Sequence, residues 1–309
     1  MALFDPRRWG GEDDAVGRTA ANGVELEYEI LGDLTDPVLL LVGGLGAQLV
    51  SWDDDFCEVL GALGLAIVRF DNRDVGRSSL VDDPRDPVEL LAQRMSGGEV
   101  EPPYRVADMA DDAAALLDAL GIDAAHVLGS SMGGMISQAL AIAHPDRVLS
   151  LTSVMSTTGD RSVGKAKPEV FAAMMAPLPA DPGAAVDHRV ALTAAMAGPA
   201  GIDEARARRR AEVEQARAAD PRGVVRQLLG VVSSPPRTEA LAHVAVPTLV
   251  VHGDADPVID LSGGRQTAAA VPGAELLVLE GVGHELPERV WPLVASHLAT
   301  TVDRAESSR

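Results

Sequence analysis

Residues 129–133 have the sequence Gly-Ser-Ser-Met-Gly, which follows a short apolar run and leads directly into a helical pattern. A serine hydroxyl is a weak nucleophile at neutral pH, so it needs a nearby base, a group that orients this base, and donors for the oxyanion that forms. Small residues at Gly129 and Gly133 would let a strand turn into a helix within a few residues and hold Ser131 in a strained conformation. This context predicts that Ser131, at the centre of the two glycines, is the nucleophile rather than Ser130.

Seven histidines are candidates for the base, and their positions in the chain separate them. His284 lies in a glycine-containing loop between the last predicted strand and a helix. In a parallel sheet this is the carboxyl edge, which also carries Ser131, so we expect His284 to be the base. His252 ends a buried strand and is a weaker candidate. Structural or surface roles are expected for His126, His144, His188, His243 and His297.

The orienting carboxylate should come from another loop at the same edge. Asp254 and Asp256 both follow the predicted strand at residues 247–251. Asp254 is better placed for local hydrogen bonding in the turn, whereas Asp256 is far enough from the strand end to reach a histidine on the next loop. We expect Asp256 to accept a hydrogen bond from the imidazole of His284, fix its tautomer and stabilise the imidazolium.

Two backbone amides are expected to bind the oxyanion. The first is the N–H of Met132, because unpaired amides and the helix dipole both favour negative charge at a helix N-terminus. The second should come from the glycine-rich loop at residues 43–46, which follows the buried strand at residues 38–42. Alignment of the strand ends suggests the N–H of Leu45, to within one residue.

The elements that would carry these residues alternate along the chain. Strands are predicted as an antiparallel pair at residues 18–31, turning at Asn22-Gly23, and at residues 38–42, 65–70, 126–128, 148–154, 247–251 and 275–279. Helices are predicted at residues 52–63, 106–120, 134–143, 262–271 and 287–300, with an irregular connection at residues 81–103. Apolar strands that alternate with helices indicate an α/β fold, with a mostly parallel eight-stranded sheet and helices on both faces.

The strand pattern disappears between residues 155 and 236, which we interpret as a helical insertion. The core would then consist of residues 18–154 and 237–300, with a loose N-terminal segment at residues 1–17 and a polar tail at residues 301–309. Within the insertion, the basic run at residues 206–210 lies among glutamates. We expect a solvated helix face with i, i+4 ion pairs there rather than an anion site.

The composition narrows the range of partners. The formal net charge is −20, which argues against nucleic acid or an anionic membrane as a partner, because phosphate binding needs clustered cations. Cys57 is the only cysteine, so no intrachain disulfide or cysteine-based metal site can form. The N-terminus has no apolar signal region, and no apolar run reaches the length of a membrane span. We therefore expect a soluble, cytoplasmic protein that needs no metal or cofactor.

The Gly-x-Ser-x-Gly turn, Asp256 and His284 occur in the order Ser, Asp, His, and together they resemble the α/β-hydrolase fold family over roughly residues 18–300. The resemblance implies that residues 155–236 are a lid over the serine. The loop at residues 69–78 is similar to that of esterases resembling aclacinomycin methylesterase, a group that hydrolyses a methyl ester on an aromatic polyketide. Many members have His-Gly at the oxyanion loop, where this chain has Gly43-Gly44 and so lacks the usual side-chain bracing.

The leading hypothesis is a serine hydrolase that cleaves carboxylic esters through an acyl-enzyme, with an apolar small-molecule ester as substrate. A cofactor-free perhydrolase or a hydrolase of C–C bonds would be compatible with the same three residues. A small-molecule binding protein that keeps the fold without activity is a third alternative. A haloalkane dehalogenase is disfavoured, because its turn would carry an aspartate in place of Ser131.

Overall fold

Eight strands form a single sheet in the computed structural model, which describes residues 15–217 and 220–308. The strands are β1 (Ala15–Ala21), β2 (Val24–Leu31), β3 (Val38–Val42), β4 (Ala66–Phe70), β5 (Ala125–Ser130), β6 (Val148–Val154), β7 (Thr248–Gly253) and β8 (Glu275–Leu279). Their order across the sheet is β1-β2-β4-β3-β5-β6-β7-β8. The β1–β2 and β2–β4 pairs are antiparallel and the other five are parallel, so the predicted mostly parallel, eight-stranded sheet is confirmed.

Helices connect the strands and cover both faces of the sheet. They are α1 (Asp54–Gly61), α2 (Pro87–Met95), α3 (Val106–Ala119), α4 (Met132–Ala143), α5 (Pro168–Met174), α6 (Pro182–Met196), α7 (Glu204–Arg217), α8 (Arg222–Ser233), α9 (Thr238–Leu241), α10 (Leu261–Ala270) and α11 (Trp291–Glu306). Helices α5 to α8 follow one another between β6 and β7, and the residues described in that stretch contain no strand.

The central strand β3 contributes side chains to two separate apolar clusters of the core. All five residues of β3 are buried, and alternate side chains enter different apolar clusters. Leu40 packs in the cluster that contains the apolar residues of α3 and α4, whereas Leu39 and Leu41 pack in the cluster that contains those of α1 and α11. Because side chains alternate across a strand, a strand covered on both faces must be apolar at every position.

The predicted irregular connection at residues 81–103 is wrong at its centre, because it contains helix α2. Asp86 caps this helix by accepting a hydrogen bond from the Val88 N–H at 2.9 Å. Pro87 occupies the first helical position, where its missing N–H would have no partner in the helix. Proline, which breaks a helix at interior positions, therefore begins one here. Helix α2 packs against α8.

Two predicted boundaries at the ends of the chain also need correction. The loose segment predicted at residues 1–17 falls mainly on residues 1–14, which lie outside the described residues, but residues 15–17 belong to β1. At the other end, α11 continues to Glu306, so the predicted polar tail is wrong for residues 301–306. Thr301 and Ala305 are buried, which explains why the helix continues past residue 300. None of the helices in residues 15–217 and 220–308 combines the length and the hydropathy that a membrane span requires.

Candidate active site

Ser131 lies between β5 and α4 in a strained backbone conformation, with φ 57° and ψ −119°. Such angles are costly for a residue with a side chain, so the surrounding structure must hold them. The Ser131 N–H donates to the carbonyl oxygen of Val154 at 2.8 Å. Its carbonyl oxygen accepts from the N–H of Gly134 at 3.0 Å and from the hydroxyl of Ser156 at 2.8 Å. Both peptide groups of Ser131 are thus fixed by strand β6 and helix α4.

The two glycines of the motif make room for neighbouring backbone rather than adopting positive φ themselves. A Cβ atom on Gly129 would lie 2.1 Å from the carbonyl oxygen of Gly133, and one on Gly133 would lie 2.0 Å from that of Val42. Ser131 alone bears the positive φ in this turn. The glycines therefore allow α4 to pack closely on the ends of β3 and β5, and the strain falls on the serine.

The structure brings His284 and Asp256 together at the edge of the sheet where β5 ends. The distance from Nδ1 of His284 to Oδ2 of Asp256 is 2.7 Å, and the aspartate side chain is fully buried. The other carboxylate oxygen, Oδ1, accepts from the N–H groups of Val258 and Ile259 at 2.8 and 2.9 Å. Because an ionised carboxylate can only accept, we assign the imidazole proton to Nδ1, which leaves the Nε2 lone pair of His284 free to take a proton.

Asp254, the other acid of this loop, has a different partner. Its Oδ1 accepts a hydrogen bond from the N–H of Gly281 at 2.7 Å, and its side chain is exposed. This contact ties the loop after β7 to the turn after β8. Of the two acids, Asp256 is the one that contacts His284.

His252 also lies near Oδ2 of Asp256 and is fully buried. Its Nε2 is 2.7 Å from the carbonyl oxygen of Ile259 and 3.5 Å from Oδ2 of Asp256. Burial lowers the pKa of the His252 imidazole, which keeps the ring neutral at neutral pH. His252 supports the loop that carries the aspartate and is too enclosed to reach a substrate, in contrast to its interpretation as a second candidate base.

The glycine-rich loop at residues 43–46, here called the oxyanion loop, passes directly beside the serine. A Cβ atom on Gly44 would lie 3.3 Å from Cβ of Ser131 and 3.9 Å from its hydroxyl oxygen. Within residues 15–217 and 220–308, the N–H groups of Leu45 and Met132 donate to no protein acceptor. An oxyanion hole needs two unpaired N–H groups that converge on one oxygen, and these two amides are available as donors.

Asn72 braces the oxyanion loop, a contact that sequence reasoning missed. Its buried side-chain amide donates to the carbonyl oxygen of Gly43 at 3.0 Å. The chain that follows this loop is fixed by Asp71, whose Oδ1 accepts from the Leu49 N–H at 2.6 Å. The usual histidine is missing from this loop, where the chain has Gly43-Gly44. An amide from the loop after β4 supplies a different side-chain brace.

The chain between β6 and β7 contacts the loop of His284 directly. The N–H of Gly283 donates to the carbonyl oxygen of Ala197 at 3.0 Å, and that of His284 donates to Met196 at 2.7 Å. A Cβ atom on Gly283 would lie 2.2 Å from the Met196 carbonyl oxygen, so only glycine allows this approach. The end of α6 therefore fixes the backbone of His284.

The predicted solvated face at residues 206–210 is wrong for Arg206 and Arg210, whose ion pairs lie on other elements. Arg206 binds Asp53 at 2.7 Å, Asp55 at 2.9 Å and Glu288 at 3.1 Å, all on other elements. Arg210 binds Glu285, next to His284, at 3.1 Å. These arginines join α7 to the loops around the site instead of forming a solvated face.

Comparison with known proteins adds independent information. Residues 37–288 match the family described as alpha/beta hydrolase fold. The chain is 33% identical over 308 residues to rhodomycin D methylesterase DauP of Streptomyces sp. (strain C5), covering 90% of this chain and 95% of that protein. It is 32% identical over 310 residues to rhodomycin D methylesterase DnrP of Streptomyces peucetius, with the same coverage. The esterase RhEst1 of Rhodococcus sp. ECU1013 superposes with a TM-score of 0.71 at 21% identity, covering 93% of this chain and 98% of that one.

Proposed function

Because the chain belongs to the α/β-hydrolase fold family, we propose that it is a serine hydrolase that cleaves carboxylic esters through an acyl-enzyme intermediate. The observation that carries the proposal is the 2.7 Å hydrogen bond between His284 and Asp256, on the sheet edge where Ser131 is held in its strained turn. The two relatives named as methylesterases support an ester as the substrate class.

In the proposed reaction, Ser131 Oγ attacks the ester carbonyl carbon while Nε2 of His284 accepts the hydroxyl proton. Asp256 stabilises the resulting imidazolium, and the N–H groups of Leu45 and Met132 bind the oxyanion. The tetrahedral intermediate collapses, the C–O bond to the alcohol breaks, and the alcohol takes the proton from His284. Water then attacks the acyl group with His284 as base, which releases the carboxylic acid and restores Ser131.

We propose that the leaving group is a small alcohol, as in a methyl ester, and that residues 155–236 form a helical lid over a core of residues 18–154 and 237–300. Helices α5 to α8 contain the apolar and methionine side chains that would face an apolar acyl group. The contacts of Met196, Ala197 and Arg210 with the loop of His284 support a lid that borders the site.

Ester turnover by the purified protein tests this proposal. A panel of chromogenic esters from acetate to long acyl chains, together with aromatic polyketide methyl esters, would identify the acyl and alcohol preference.

Replacement Ser131→Ala should lower kcat by at least about 10⁴-fold, because the nucleophile is lost. The neighbouring Ser130→Ala is the matched control and should retain activity, and a fluorophosphonate should label Ser131. Equal turnover by the Ser131→Ala protein and the wild type would refute the proposal, as would faster turnover of a 1,3-diketone or a peracid than of every ester.

A further inference from the structure

The oxyanion loop is also held at its other end, by a side chain from helix α8. The N–H of Gly46 donates to Oε1 of Gln227 at 2.9 Å, and Nε2 of Gln227 donates to the carbonyl oxygen of Arg73 at 2.7 Å. We infer that Gln227 is a positioning residue through which α8 sets the oxyanion loop for the reaction proposed above. The inference rests on that proposed function and concerns a residue that never touches the substrate.

The two contacts require a side chain that can both donate and accept a hydrogen bond. The Gly46 N–H can only donate and the Arg73 carbonyl oxygen can only accept, so their shared partner must offer one acceptor and one donor. Gln227 offers both, and its orientation follows from these two partners. Its side chain is completely buried, so loss of either contact would leave a buried polar group without a partner.

Helix α8 presents Gln227 from a fixed position. The buried ion pair of Arg226 with Asp74, at 2.7 Å, ties the helix to the loop after β4. Gly223 approaches the same loop so closely that a Cβ atom would lie 2.0 Å from the Asp74 carbonyl oxygen. The side chain of Val224 packs against Gly46, and a Cβ atom added to this glycine would lie 3.2 Å from it. A side chain on a rigid helix positions its partner more accurately than one on a loop.

The contact bears directly on the predicted oxyanion donor. The Gly46 N–H belongs to the peptide group that follows Leu45, so holding it fixes the backbone on the carboxyl side of Leu45. Asn72 holds the other end of the loop at the Gly43 carbonyl oxygen. With both ends tied, the Leu45 N–H keeps its direction, and this direction decides how well it stabilises the oxyanion.

Replacement Gln227→Met tests the inference, because methionine has a similar shape and removes both hydrogen bonds. Loss of a whole oxyanion donor costs about 10²- to 10³-fold in kcat, so displacement of one donor should lower kcat by about 10- to 100-fold, with KM changed less than about twofold. Rates are expressed per active site titrated with a fluorophosphonate. Affinity for a trifluoromethyl ketone, whose adduct places an oxyanion in the hole, should fall by the same factor. Affinity for the matching methyl ketone should not change.

Gln138→Met is the matched control for a purely structural effect. Gln138 is also completely buried and also uses both ends of its amide, donating to Ser153 at 3.1 Å and accepting from Arg237 at 3.2 Å. It should lower the melting temperature to a similar extent while kcat per active site stays within about twofold. If Gln227→Met does not fold, Gln227→Leu takes its place, since leucine is also uncharged and removes the acceptor for the Gly46 N–H.

The inference is overturned if kcat per active site of the folded Gln227 variant stays within twofold of the wild type. It is also overturned if the Gln138→Met protein loses as much kcat, or if the loss appears in KM alone. Failure of the wild-type protein to hydrolyse any ester and to react with the fluorophosphonate would instead refute the proposed function. In that case, hydrogen exchange of a peptide spanning residues 43–48 still tests the contact, and it should be faster in Gln227→Met.

Discussion

At the scale of single residues, Asp256 uses its two carboxylate oxygens for different purposes. Oδ1 accepts from the backbone of Val258 and Ile259, and Oδ2 accepts from His284. In the replacement Asp256→Asn, the backbone donors require the amide oxygen at the Oδ1 position, so the amide NH₂ must face Nδ1 of His284. That nitrogen must then accept, which places the imidazole proton on Nε2 and removes the base.

The Asp256→Asn protein should therefore show a kcat about 10⁴-fold below the wild type, with its fold unchanged. Steady-state kinetics with a chromogenic ester and circular dichroism measure the two properties. Asp254→Asn is the control, because Asp254 contacts Gly281 rather than the histidine, and it should retain most of the activity. An Asp256→Asn protein with more than a tenth of the wild-type kcat would contradict the orienting role of this residue.

At the scale of elements, α7 is connected to the loops around the site by Arg206. Its guanidinium lies 5.0 Å from the ring centre of Trp291 and pairs with Asp53, Asp55 and Glu288. Exposed ion pairs stabilise little individually, but a partly buried arginine with three carboxylates and an aromatic ring forms a network. We expect Arg206→Ala to reduce the free energy of unfolding by about 1–2 kcal/mol and to increase hydrogen exchange across residues 204–217.

Arg208→Ala is the matched change on the same helix. Arg208 forms an exposed ion pair with Asp187, and its removal should leave the free energy of unfolding equal to that of the wild type within experimental error. Urea unfolding and hydrogen exchange by mass spectrometry measure both effects. Equal behaviour of the two variants would show that the Arg206 network does not hold α7 against the core.

The sequence predicts the sheet well because the strands carry their own pattern. Strand β3 is apolar at every position, and residues 129–133 combine a strand end, two glycines and a helix start within a few residues. The partners of Arg206 and Gln227 could not be predicted, because they come from distant parts of the chain. Gln227 binds residues that are 181 and 154 positions away, and nothing in the helical pattern of α8 distinguishes it from a surface glutamine.

The sequence does not predict helix α2, and the reason lies in the residues at its start. Prolines and acids at residues 81–103 are typical of an irregular connection, but Pro87 and Asp86 occupy the two positions where a helix start favours them. The sequence predicts those residues of the candidate site that lie at strand ends on one edge of the sheet. It does not predict the contacts that hold them in place, because Asn72, Met196 and Gln227 bind backbone groups that are near them only in the folded chain.

At the scale of the whole molecule, the formal net charge of −20 creates a field that a substrate must cross. The basic residues of α7 do not offset it near the site, because Arg206 and Arg210 are paired with carboxylates. The Debye length, the distance beyond which salt screens the interaction between charges, is about 30 Å at 0.01 M ionic strength and about 8 Å at 0.15 M. Substrate charge should therefore affect turnover most strongly at low salt.

A pair of esters of almost equal shape tests this expectation: neutral 4-acetoxybenzamide and anionic 4-acetoxybenzoate. The ratio of their kcat/KM values should favour the neutral ester by about three- to tenfold more at 0.01 M than at 0.15 M ionic strength, because the acidic protein repels the anion. The Arg208→Ala protein, which loses one exposed positive charge, should show a slightly larger ratio at low salt. A ratio that does not change with ionic strength would mean that local groups around Ser131, rather than the excess of acids over the whole surface, set the potential that the substrate experiences.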